Sequence, residues 1–153
     1  VQGASVLFVS QVETHENIRA FFPPGTLSPL HASGIGKALL AEMTPDRLAR
    51  VLGTGALEVF TPNTLADTDV LAAEMEATRR RGYAFDNEEK SPGMRCVAAA
   101  VFDVHGEAVA GVSVSGPSSR MSAGRTVDMA DAVRMAAADL TAAIGGNPDL
   151  RRG

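Results

Sequence analysis

Cysteine occurs once in these 153 residues, tryptophan is absent and tyrosine occurs once. A single thiol, Cys96, cannot close an internal disulfide, and that count suits a reducing cytoplasm. No run of about 18 apolar residues is long enough to span a bilayer as a helix, and the first residues carry no signal-peptide pattern. Positive charge is not in excess. With 14 Lys and Arg against 18 Asp and Glu, the formal net charge is -4. The basic footprint of a nucleic-acid surface is therefore missing from this chain. His15, His31 and His105 do not stand at metal-ligand spacing, with one another or with Cys96, so no metal or other cofactor is expected.

What the chain does contain is apolar material for one core. The hydrophobic fraction is 45%, the length is that of about one domain, and neither a repeat nor a linker divides it. Residues 1–146 are expected to form that domain, with a mobile tail over 147–153.

Its centre is the stretch 82–117, which alternates as extended segments do. Strands are expected over 83–88, 97–102 and 108–115, the last two joined by a turn at Asp103 and Gly106. Residues two apart share a face. Gly111, Ser113 and Ser115 therefore look one way, and Ala108, Ala110, Val112 and Val114 the other. On the preceding strand Cys96, Ala98, Ala100 and Phe102 separate from Val97, Ala99 and Val101. One face is thus small-residued, and its empty volume must be filled by a helix or by a small ligand held at Ser113, Ser115 and Cys96. Alternation alone favours the helix.

The flanks read as follows. Residues 4–12 and 17–22 predict a hairpin stopped by Pro23, Pro24 and Gly25. Ser33 is placed to cap a helix over 33–41, and Thr44 before Pro45 starts another over 45–52. A loop with a short extended piece at 57–60 leads to a helix over 69–81, acidic first and ending in Arg79, Arg80 and Arg81, as its dipole favours. A last helix over 125–144 carries the apolar stripe Val127, Ala130, Val133, Ala137, Leu140 and Ile144. Strands at both ends with helices between them give an α+β domain around a largely antiparallel sheet.

Catalytic motifs fail one by one. Gly34-Ile35-Gly36-Lys37 lacks the first glycine and the final Ser/Thr of a phosphate loop. Ser113 lacks the second glycine of a nucleophile elbow. Cys96 as nucleophile with His31 as base has no local feature that would lower the thiol pKa, so a small buried hydrophobe is its default role. His15 and His105 fall in turns, where exposure is expected. Asp86, Glu88 and Glu89 read as a solvated strand edge.

Taken together, Leu30-His31-Ala32-Ser33-Gly34-Ile35-Gly36-Lys37-Ala38-Leu39-Leu40-Ala41, Arg81-Gly82-Tyr83-Ala84-Phe85-Asp86-Asn87-Glu88-Glu89, Gly93-Met94-Arg95-Cys96-Val97-Ala98-Ala99 and Val112-Ser113-Val114-Ser115-Gly116-Pro117 resemble the effector-binding domain of the IclR family of bacterial transcriptional regulators. The resemblance spans about residues 4–146 and is strongest to the family's glyoxylate-type members. It implies a GAF-like fold, an antiparallel sheet with flanking helices enclosing a small-ligand pocket. It also implies a winged helix-turn-helix that binds DNA and would precede Val1, a small organic acid as effector, a homodimer or homotetramer, and no enzymatic step. Matching positions put the effector contacts at Gly34, Ile35, Asp86, Cys96, Ser113 and Ser115. Ile35 departs from the glyoxylate-type pattern, which has Ala there, and its extra methyls would narrow or shift the pocket.

Overall fold

The structure is a computed structural model that describes residues 1–15, 20 and 22–150. Its elements run β1 (Ser5–Leu7), β2 (Leu27–Pro29), α1 (Gly34–Leu40), α2 (Pro45–Leu52), α3 (Thr68–Arg81), β3 (Ala84–Asn87), β4 (Met94–Phe102), β5 (Ala108–Pro117) and α4 (Ala123–Ala143), followed by a 3-10 turn at Pro148–Leu150. The fold is α+β and its sheets are antiparallel, as expected. The strands divide into a three-stranded sheet, β3-β4-β5, and a separate pair, β1-β2.

The three-stranded sheet follows the alternation read above. Cys96 pairs with Ser115, Ala98 with Ser113 and Ala100 with Gly111, while Asp86 pairs with Cys96 from the other side. The face opposite carries Val97, Ala99 and Val101. There α4 lies, burying Ala130, Val133 and Ala137. Helix α1 covers the small-residue face, packing Ala38 on Ala84 and Ala98. Leu39 and Leu40 join Leu71 and Met75 of α3 in the main apolar cluster. Arg79 pins the two helices together by donating Nε–H to Ala41 O at 2.7 Å.

Local chemistry explains the boundaries. Ser33 Oγ accepts the Gly36 N–H, Thr44 Oγ1 accepts that of Arg47, and Asp67 Oδ1 accepts those of Asp69 and Val70. Each satisfies donors that the first turn of a helix leaves free. Gly82 ends α3 at φ 79°, a left-handed conformation that glycine adopts without a Cβ clash.

Several expectations need correction. The strand expected over 4–12 pairs only as far as Phe8, whose N–H donates to Thr26 O, and its partner is β2. The segment 26–29 was missed because prolines and a glycine precede it. The strand expected over 17–22 lies largely outside the described residues; Ala20 and Phe22, which are described, belong to no strand. The piece at 57–60 is not a strand. On α4 the inward positions are Thr126, Ala130, Val133, Ala137 and Thr141, whereas Val127, Leu140 and Ile144 are exposed. The turn of the helix set that stripe by geometry, and two threonines occupy it because their hydroxyls bond backbone: Thr126 to Ser122 O and Thr141 to Phe102 N–H. Ala108 also changes face. A bulge between Val101 and Phe102 shifts the register, so Ala108 packs with the α1-side cluster.

Candidate functional site

The small residues of the inner sheet face turn out to admit α1 rather than to hold open a large chamber. A Cβ on Gly34 would stand 2.5 Å from Cys96 Sγ, and one on Gly111 would stand 3.0 Å from Ile35 Cγ2. Ile35 thus occupies the space above Gly111, and its side chain is packed against both apolar clusters on that side. What remains is a cavity of about 40 Å3 beside the start of α1. Gly34, Ile35, Asp86, Cys96, Ser113 and Ser115 all line it. The structure therefore brings together the six positions at which the resemblance put effector contacts. Its roof is aromatic, with Phe8 and Phe22 stacked at 4.9 Å between ring centroids.

The turn between β3 and β4 supplies the polar wall. Asp86 Oδ1 accepts the Glu89 N–H at 2.9 Å, so this carboxyl shapes the turn as well as facing the cavity. Burial, the largest cause, raises its pKa to about 6; the Glu89 carboxylate also raises it, against lowering by that N–H bond and by Lys37 and Lys90. Cys96 is buried beside both serines. Burial pushes its thiol up to about 11, with the Ser115 hydroxyl opposing. The thiol is protonated at neutral pH and offers a weak donor and acceptor.

Glu89 contradicts the solvated-edge reading. It is 4% exposed, and its Oε1 accepts from Lys37 Nζ at 2.7 Å. Lys37, fully buried one turn into α1, also donates to Phe85 O. Its apolar flanks hid the need for a partner. The signal that could have found the pair is a lysine inside a run of buried positions, because such a charge requires a counterion. Thr61 Oγ1 donates to Glu88 O at 2.7 Å, and Asn63 Nδ2 to Asn87 O at 2.9 Å, staking the turn from outside. Glu88, at φ 60°, uses Oε2 to accept the Gly93 N–H.

His31 is not in the cavity. Its Nε2 bonds Glu58 O at 2.8 Å and its ring lies against Phe60, so it holds the loop after α2. His15 and His105 are exposed. Reasoning from the sequence missed Phe8, Phe22, Ser28, Lys90 and Arg95 as lining residues. Phe8, Phe22 and Ser28 come from segments remote in the chain, whereas Lys90 and Arg95 stand beside Asp86 and Cys96 and carry no spacing signal of their own.

Comparison with known proteins places this geometry. The family described as bacterial transcriptional regulator IclR C-terminal matches residues 1–142. The HTH-type transcriptional regulator BhcR of Paracoccus denitrificans is 59% identical over 141 residues, which is 92% of this chain and 50% of that protein. The HTH-type transcriptional repressor AllR of Escherichia coli K12 is 39% identical over 143 residues, 94% of this chain and 53% of that one. The crystal structure of the Thermotoga maritima IclR superposes with a TM-score of 0.87 at 32% identity, covering 95% of this chain and 59% of that one. The chain belongs to the IclR family of transcriptional regulators and forms its C-terminal, effector-binding domain. It spans about half the length of the curated relatives it matches.

Proposed function

We propose that this domain senses a small carboxylate, a 2-oxo acid such as glyoxylate or pyruvate, and thereby controls DNA binding by a full-length regulator. DNA would be held by an N-terminal winged helix-turn-helix, in a homodimer or homotetramer working in the cytoplasm. The observation that carries the reading is the convergence of Gly34, Ile35, Asp86, Cys96, Ser113 and Ser115 on one small cavity. Ser113 and Ser115 can donate to carboxylate oxygens, and the N–H groups of Gly34 and Ile35 precede the first intrahelical donor, Lys37. A cavity of this size suits a compact acid over a flat ring, and Ile35 keeps it small. Asp86 is placed to accept from a ligand hydroxyl, as a hydrated aldehyde would offer.

A protonated Cys96 thiol argues against a Cys-dependent enzyme, which needs the thiolate. Calorimetric titration tests the proposal. Glyoxylate or pyruvate should bind wild type, and Ser115→Ala should weaken that binding about tenfold or more, since a buried bond to a charged group contributes roughly 1.5–3 kcal/mol. If a hydroxybenzoate binds and the oxo acids do not, the effector class is wrong; if Ser115→Ala binds normally, the site is wrong.

A further inference from the structure

Hydroxyl and amide donors at the start of α1 can hold a carboxylate, and a positive charge beside them would add selectivity for the ionised form. Among the described residues, three cations stand near this cavity. Lys37 lies behind the β3–β4 turn and is already paired with Glu89. Arg95 lines the cavity, but its Nε donates to Asn87 Oδ1 at 2.9 Å and its Nη1 to Met121 O at 2.8 Å, so two of its three nitrogens are already engaged and hold it along the sheet.

Lys90 is different. It lines the same cavity, and its Nζ donates to Ser28 Oγ at 3.2 Å. Ser28 sits in β2 at 2% exposure, so the hydroxyl that orients the ammonium is held by the sheet pair beneath it. That partner is neutral. An ammonium has three donors; among the described residues no carboxylate lies within ion-pair distance of this one, although Asp86 across the turn feels its charge. Lys90 follows Glu89 directly, and the Lys37–Glu89 pair fixes where the turn stands.

We infer that Lys90 is the counter-charge for the effector carboxylate and makes this site select ionised acids over neutral molecules of the same shape. The inference rests on the reading of the site as a carboxylate sensor. It adds a division of labour along the β3–β4 turn: Lys90 on the carboxylate, and Asp86 on a hydroxyl of the hydrated oxo group. Ser28 acts through Lys90, as a positioning residue.

The test compares pyruvate with pyruvamide, a neutral molecule of nearly the same shape, by calorimetric titration of wild type, Lys90→Met, Lys90→Arg and Ser28→Ala. Wild type should prefer the acid. Lys90→Met should weaken pyruvate about tenfold or more while leaving the amide within about twofold, a loss expected for one charge-assisted bond. Lys90→Arg should restore the preference, and Ser28→Ala should reduce it partly. If pyruvate binds Lys90→Met as it binds wild type, or if acid and amide weaken together, the inference fails while the sensor reading stands. If wild type binds neither glyoxylate nor pyruvate, both fall.

Discussion

At the scale of single residues, the sharpest feature is a carboxyl that burial keeps partly protonated near neutrality. Asp86 has a folded pKa of about 6 against an ordinary 3.8. A raised carboxyl pKa means that the folded state binds the proton more tightly than the unfolded chain does. Its contribution to stability is therefore most favourable below pH 3.8 and is lost as pH rises through about 6. Asp86→Asn should remove that slope from thermal-unfolding curves taken between pH 4 and pH 7. On the proposed reading the same group meets the effector. An incoming carboxylate disfavours a second anion in the cavity, so binding should take up a proton above pH 6 and weaken as pH rises. Titrations of glyoxylate at pH 5.5 and 7.5 should show tighter binding at the lower value, and Asp86→Asn should flatten the difference. An affinity that rises with pH would mean that Asp86 does not face the ligand's charge.

At the scale of elements, α1 governs the site because glycine lets it sit so close. Gly36 is packed against backbone: a Cβ there would fall 2.3 Å from Leu30 O and 2.5 Å from Leu30 Cα. Neither atom can move without shifting the chain that leads into the helix. Gly36→Ala should therefore destabilise despite alanine's better helix propensity, by about 1–3 kcal/mol or more. Gly124, at the start of α4, makes the opposite case. A Cβ there meets nothing within 4 Å, and Gly124→Ala should be neutral or stabilise by about 0.4–1 kcal/mol. Thermal unfolding of both variants beside wild type checks the pair. Equal melting temperatures would show that α1 is not held as closely as its glycines imply.

For the whole molecule, the expectation is a ligand-sensing assembly that does not itself bind DNA. The net charge of -4 disfavours association with duplex DNA. The domain should sediment as a dimer or tetramer and show no salt-dependent affinity for duplex DNA. Occupancy should stabilise the fold by about 2.7 kcal/mol at a ligand concentration a hundred times the dissociation constant. A monomer that binds DNA at sub-micromolar concentration would overturn this description.

The amino-acid sequence by itself determined what local forces decide. Caps at Ser33 and Thr44, and the glycine that ends α3 at Gly82, set helix limits within about two residues, because capping is a contest among neighbours in the chain. Alternation over 96–102 and 111–115 sorted Cys96, Ser113 and Ser115 onto one face, because a strand's period is a property of its backbone. The motifs carried the family, and with it the site residues that converge on the cavity. Tertiary structure alone decided the rest. Whether the small-residue face would hold a helix or a ligand depended on how closely α1 could approach, and the answer is a helix that leaves a remnant of about 40 Å3. Lys37 found Glu89 across 52 residues of sequence, and Lys90 found Ser28 across 62. The bulge at Val101 and Phe102 turned Ala108 to the other side of the sheet. These outcomes depend on distances between segments remote in the chain, and no periodicity or composition encodes such distances.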